Sequence, residues 1–182
     1  MGVRTVYNGY KQHMMCGITG TPGTGKSALA DELEKRGYRV VHANEAAKAY
    51  ALERDDERDS LVIDDEQWAA EFEPVEGIVE GHIVHLLPCD RIVILRCRPD
   101  VLLSRLKERG YSNDKIMENA EAEAIDLILI ETLDLHDEDK ILEIDTTSSE
   151  ISECADLIEG FIKGKIPSSY GSIDWSDFIG EI

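Results

Sequence analysis

One stretch, Gly20-Thr21-Pro22-Gly23-Thr24-Gly25-Lys26-Ser27, limits what this chain can fold into more than any other, because it fits the phosphate-loop pattern G-x-x-x-x-G-K-[ST] without a mismatch. Its context is the one the pattern requires. An apolar run, Met14 to Ile18, feeds into it, and a helical pattern, Ser27 to Arg36, leaves it. Glycines let such a loop curl so that successive N–H groups point inward and cradle the β- and γ-phosphates. Those amides open a helix, whose N-terminus adds roughly half a positive charge. Lys26 supplies a full positive charge from a solvated loop, and the Ser27 hydroxyl is a magnesium ligand. The ligand implied is a nucleoside triphosphate with its Mg2+.

The rest of the chain reads as alternating strands and helices, which makes a parallel α/β sheet the economical fold. The first helix carries Ala28, Leu29 and Leu33 on one stripe and stops at Gly37, and Tyr38 to His42 is a second short strand. Asn44 to Leu52 then favours a helix and Asp55 to Asp59 an acidic turn, together either an insert that holds an acceptor nucleotide or a solvated surface helix and loop. A helix from Asp64 carries Trp68 and Phe72 and ends near Pro74. The apolar run Gly77-Ile78-Val79 reads as a central strand that ends in Glu80. In open α/β sheets ligands bind at the carboxyl ends of the strands. That location suits Glu80 to hold the metal through water and His82 to orient or deprotonate an attacking water, although a strand-end acid and a core histidine are the plainer alternatives.

Arg91 to Arg96 is a further buried strand, and Pro99 and Asp100 open a helix that Gly110 closes. Arg105 and Arg109 fall four residues apart on it, so both guanidinium groups share one face. Ser112 to about Leu135 reads as one long helix, Ile141 to Asp145 as the last strand and Ser149 to Ile162 as the closing helix. The tail from Lys163 reads as a linker with an apolar hook, Ile173 to Phe178, with docking on the body, docking on a partner and disorder as the alternatives.

A length of 182 residues suits one domain with small inserts. The net charge of −19 makes nucleic acid a poor direct partner and leaves an acidic surface suited either to a salty cytoplasm or to a basic protein. Cys16, Cys89, Cys97 and Cys154 form no C-x-x-C pair, which argues against zinc or a disulfide framework. No apolar stretch approaches the ~18 residues of a membrane span, so a cytoplasmic location without a membrane partner is expected.

From Cys16 to about Ile162 the chain resembles the adenylate kinase isoenzyme 6 family, in particular its archaeal members. The resemblance rests on the phosphate loop, Ile78-Val79-Glu80-Gly81-His82, Ile94-Leu95-Arg96 and Leu103 through Arg105-Leu106 to Arg109-Gly110-Tyr111. Lys115-Ile116 with Glu118-Asn119, Ile144-Asp145-Thr146-Thr147 and the tail's Ile173-Asp174-Trp175 complete it. It implies a P-loop nucleoside monophosphate kinase-like parallel sheet flanked by helices, over residues 14–163. Residues 1–13 would be an N-terminal extension and 164–182 a C-terminal tail. The region holding the acceptor nucleotide would run over about 43–66, with a short lid at about 108–118.

By position, Gly23, Thr24, Gly25, Lys26, Ser27, Ala28 and Arg109 would contact ATP. Lys26, Glu80, His82 and Arg109 would be catalytic, and Ser27 and Glu80 would hold Mg2+. The implied activity is transfer from ATP to a nucleoside monophosphate, AMP first, together with ATP hydrolysis. The implied role is late maturation of the small ribosomal subunit and its 16S rRNA, through transient binding of a basic ribosomal protein on the maturing 30S particle. Eukaryotic members carry aspartate where this chain has Glu80, which moves the metal contact outward. An assembly ATPase with negligible kinase activity and a small-molecule kinase of the shikimate type are the alternatives. No N-K-x-D motif of the GTPase kind is present.

Overall fold

The structure, a computed structural model, describes residues 14–43, 47–55 and 60–180. The N-terminal extension, residues 44–46 of the helix-favouring stretch and residues 56–59 of the acidic turn lie outside the described residues. The strands are β1 (Met15–Gly20), β2 (Val40–His42), β3 (Ala51–Asp55), β4 (Ser60–Ile63), β5 (Gly77–Glu80), β6 (Arg91–Arg96) and β7 (Ile141–Asp145). Five of them form one sheet in the order β2-β5-β1-β6-β7, every pair parallel.

Helices cover both faces, which is why the central strands are apolar at nearly every position. Alternate residues sort into two layers. Met15, Val79, Ile92, Ile94 and Ile141 pack with Trp68 of α2 (Asp65–Glu71) and with Ile128 and Leu129 of α5 (Leu127–Leu135). Cys16, Ile18, Ile78, Val93 and Leu95 pack on the other face with Leu29 and Leu33 of α1 (Lys26–Lys35) and with Ile158 and Phe161 of α6 (Ile151–Ile162). Each large apolar side chain so buried contributes roughly 1.5–3 kcal/mol. A third cluster, Leu102, Leu106 and Ile116, joins α3 (Pro99–Glu108) to α4 (Asn113–Ala124). All four cysteines are buried thiols, and burial pushes Cys97 up to about 11 and Cys89 up to about 12.

Two elements differ from the sequence reading. The helix expected up to Leu52 does not run that far: Ala47 is helical, Lys48–Tyr50 is a 3-10 turn, and the antiparallel ribbon β3–β4 follows. Antiparallel pairing of Ala51 with Ile63 and of Glu53 with Val62 overrides the helix propensity of Ala51 to Glu53. The long helix expected from Ser112 to Leu135 breaks into α4 and α5 at Asp126, whose φ is 57°. Aspartate tolerates that left-handed conformation, and here its carboxylate is held by Arg96.

Of the alternatives for the tail, the structure shows docking on the body. Ser169 accepts from Glu143 N (2.8 Å) and donates to Ile141 O (3.1 Å), forming a short parallel bridge along β7. Beyond it, the turn Ser176–Phe178 lies against α4. No described helix is long and apolar enough to cross a membrane.

Candidate active site

β1 ends at Gly20, where the chain must turn sharply out of the sheet. A Cβ there would lie 2.5 Å from the Leu95 carbonyl oxygen, and φ is +144°, so the position admits only glycine. Gly25, with φ 99°, directly precedes α1 and turns the loop amides toward the helix start. Lys26 is buried, not solvated as expected: its Nζ donates to Gly20 O (2.7 Å) and Thr21 O (3.0 Å). Desolvation lowers its pKa to about 8, against the opposing pull of the Glu80 and Glu123 carboxylates. Thr24 closes the turn by donating from both N and Oγ1 to Thr21 O.

Next to β1, strand β5 brings up Glu80, with Ile18 opposite Glu80 in register. The Glu80 carboxyl is buried. His42, its register partner on β2, lies with Nδ1 2.8 Å from Oε1, while Oε2 has no hydrogen-bond partner. That hydrogen bond raises the His42 pKa. A buried carboxylate oxygen left without a donor fits a cation or its bound water. Ser27, exposed, is the second residue of α1 and directly follows Lys26. Magnesium keeps several waters and takes one or two protein oxygens with substrate phosphates, so a three-ligand protein cluster, absent among the described residues, is not needed. Glu80 and Ser27 suit that ion.

Thr19 Oγ1 donates to His82 O (2.9 Å), which pins the turn after β5 to the end of β1. The His82 Nδ1 lies 3.4 Å from Gly20 O. With Nδ1–H donating there, Nε2 keeps its lone pair. The residue is exposed at the cleft floor, yet its ring is crowded by the loop. That desolvation, with the Lys26 charge nearby, lowers its pKa to about 4. Behind it His85 is buried and donates from Nε2 to Glu131 of α5 (2.9 Å).

The two arginines of α3 differ. Arg105 is engaged, donating to Thr146 O (2.8 Å), Thr147 O (3.2 Å) and, at 3.4 Å, to Gly23 O of the loop. Arg109, the residue that ends α3, is exposed. Both line a cavity of about 190 Å³ with Gly23, Gly25, Ala28 and Thr146. A larger cavity, about 350 Å³, opens between Met14, Tyr38, Gly77 and Lys163 at the amino ends of the strands, remote from the phosphate loop. The first is at the end of the sheet where such folds bind ligands. Four residues, Arg109 to Ser112, separate α3 from α4 within the stretch expected to form the lid.

Lys26, Glu80 and His82 therefore meet at the ends of β1 and β5, and Arg109 faces the same loop across the cavity. Sequence reasoning missed His42, Thr21 and Glu123. Glu123 sits in a helix rich in acids that reads as a solvated face, whereas it is buried and accepts from Thr21 Oγ1 at 2.6 Å. For His42 a signal existed: a histidine at the carboxyl end of a strand beside the loop.

Residues 16–126 match the family model described as AAA domain. A protein of Archaeoglobus fulgidus named "Putative adenylate kinase" is 45% identical over 89% of this chain and 92% of its own length. A protein of the same name from Natronomonas pharaonis is 41% identical over 91% of this chain and 100% of its own. Among solved structures, deoxyadenosine kinase from M. mycoides with bound dATP superposes over 83% of this chain and 100% of its own, with a TM-score of 0.56 at 16% identity, a likeness of fold. With that sequence identity over nearly all of both chains, on a phosphate-loop parallel sheet, the chain belongs to the archaeal branch of the adenylate kinase isoenzyme 6 family.

Proposed function

We propose that this protein transfers the γ-phosphoryl group of ATP to a nucleoside monophosphate, AMP foremost, and also hydrolyses ATP. The observation that carries this reading is the shared floor of the cleft, where the Lys26 ammonium and the Glu80 carboxyl are buried at the ends of adjacent strands. In transfer, an acceptor phosphate oxygen attacks the γ-phosphorus and its bond to the β-bridging oxygen breaks, giving two ADP. In hydrolysis, water replaces the acceptor and gives ADP, phosphate and a proton. Ser27 and Glu80 would hold Mg2+, which would supply neutralisation of phosphate charge. Lys26 and the loop amides stabilise the charge that spreads over the γ-oxygens, and His82 Nε2 receives a proton from, or orients, the water.

The four-residue lid loop favours hydrolysis beside transfer, since a small lid excludes water incompletely. Phosphate release and ADP formation, each followed with and without AMP, test the reading. AMP-dependent ADP formation supports the kinase, and phosphate release that ignores AMP leaves an ATPase alone.

Two substitutions bear on the assignments. Arg109→Ala lowers transfer by roughly 10–100-fold, the worth of one hydrogen bond to a charged group. Arg105→Ala acts mainly on melting temperature and ATP affinity, because its guanidinium ties the loop to the turn after β7. Wild-type transfer in the Arg109 variant with loss in the Arg105 variant would reverse the two roles. Glu80→Gln keeps size but removes charge, and weakens Mn2+ binding in the presence of ADP by roughly 10–100-fold, as for an outer-sphere carboxylate. Paramagnetic resonance of bound Mn2+ reads this directly, and an unchanged affinity removes Glu80 from the metal site.

The cellular reading is late small-subunit maturation, in which ATP hydrolysis releases a basic ribosomal protein from the maturing 30S particle. The net charge of −19 and the family resemblance support it. Pull-down of purified basic small-subunit proteins in ATP and in ADP tests it separately from the enzymology.

A further inference from the structure

Beneath the phosphate loop lies a buried charge cluster that the proposed chemistry does not use. Arg96, 2% exposed at the end of β6, donates from Nε to Glu123 Oε1 (2.8 Å), from Nη1 to Glu143 Oε1 (2.5 Å), and from Nη2 to Glu123 O (3.1 Å) and to Asp126. Glu123 Oε1 also accepts from Cys97 N at 3.0 Å. Its second oxygen is committed elsewhere, to the Thr21 hydroxyl of the loop at 2.6 Å. Since a carboxylate accepts and a hydroxyl donates, the direction of that bond is fixed.

Thr21 is where the loop's own bonds converge. Its carbonyl accepts from Lys26 Nζ, from Thr24 N and from Thr24 Oγ1. Among the described residues, Thr21 to Glu123 is also the bond by which a loop side chain reaches a side chain outside the loop. Displacing Thr21 therefore moves the acceptor that seats Lys26. Glu123 lies in the last turn of α4, the helix that begins directly after the lid loop. One helix of 12 residues, about 18 Å long, thus carries the lid's far side at one end and holds the phosphate loop at the other.

We propose that Glu123 is a positioning residue for the nucleotide site, fixing the phosphate loop to α4 through the Thr21 hydroxyl. The proposal rests on the triphosphate-binding reading above. Misplacing a binding group by about 1 Å can cost on the order of a hundredfold, so loss of the link has a measurable consequence even with the fold intact.

The test compares Thr21→Val, which keeps the shape and removes the donor, with Thr21→Ser, which keeps the donor. Glu123→Gln, which retains an amide oxygen acceptor, is the third variant. Equilibrium binding of Mg·ATP, the KM values for ATP and AMP, and thermal melting are measured on the full chain. The expected result is a roughly 10–100-fold weaker ATP affinity in Thr21→Val with an unchanged KM for AMP, and recovery of most of that loss in Thr21→Ser. Glu123→Gln falls between them, and if it does not fold, the two threonine variants decide. Equal ATP affinity in Thr21→Val and Thr21→Ser overturns the proposal, as does a loss of ATP and AMP binding in step with melting temperature. Failure of the unsubstituted protein to bind Mg·ATP refutes the triphosphate reading itself.

Discussion

Lys26→Ala abolishes transfer and hydrolysis together, lowering each by a hundredfold or more while the protein stays folded. A preorganised contact to charge that develops in the transition state is worth roughly 3–4 kcal/mol, which converts to that factor. Both reactions break the same γ-phosphoryl bond, so neither escapes. The buried position of Lys26 adds a condition on the fold, because alanine leaves the Gly20 and Thr21 carbonyls without the ammonium they accept from. That loss is partly offset, since burying the amine is itself unfavourable, as its pKa of about 8 against the usual 10.5 records. Circular dichroism and melting establish the folded state, and rates of ADP and phosphate formation establish the rest. Turnover at the unsubstituted level in a folded variant would falsify the phosphate-loop assignment.

His82→Ala separates the two reactions. Hydrolysis falls by roughly 10²–10⁴, the contribution of a positioned general base, while transfer to AMP falls less because the acceptor brings its own nucleophilic oxygen. The histidine's pKa gives a second reading of the same role. Desolvation by the loop, and then the charge of Lys26, lower it from 6.5 to about 4, so the neutral, proton-accepting form is the one present above about pH 4. Hydrolysis accordingly keeps its base through pH 5 and 6, and its acid limb centres near 4. A limb centred at 6.5 that persists in His82→Ala belongs to another group. Equal losses of both reactions in that variant reduce His82 to a support for the turn after β5.

The phosphate loop was legible because its requirements are local: Gly20 and Gly25 need positive φ, and Lys26 and Ser27 follow at fixed offsets. The parallel sheet was legible because strands buried on both faces are apolar throughout. What escaped depends on partners distant in sequence. The break at Asp126 is stabilised by Arg96, 30 residues earlier, and nothing in Ile125-Asp126-Leu127 marks it. His42 and Glu80, 38 residues apart, meet because β2 pairs with β5, an order the alternation of elements leaves open. The ribbon β3–β4 was obscured by Ala and Glu, which favour helices when no strand partner is at hand.

The seating of Ser169 against β7 has a consequence for behaviour in concentrated solution. A parallel sheet ends in strands with unpaired N–H and C=O groups, a template on which other chains assemble into aggregates. Here the chain's own tail pairs through Ser169 with the middle of β7, and the opposite end, β2, is only three residues long. Among the described residues neither margin offers a long open ladder, so edge-to-edge polymerisation of the apolar sheet is disfavoured by the same polypeptide that builds it.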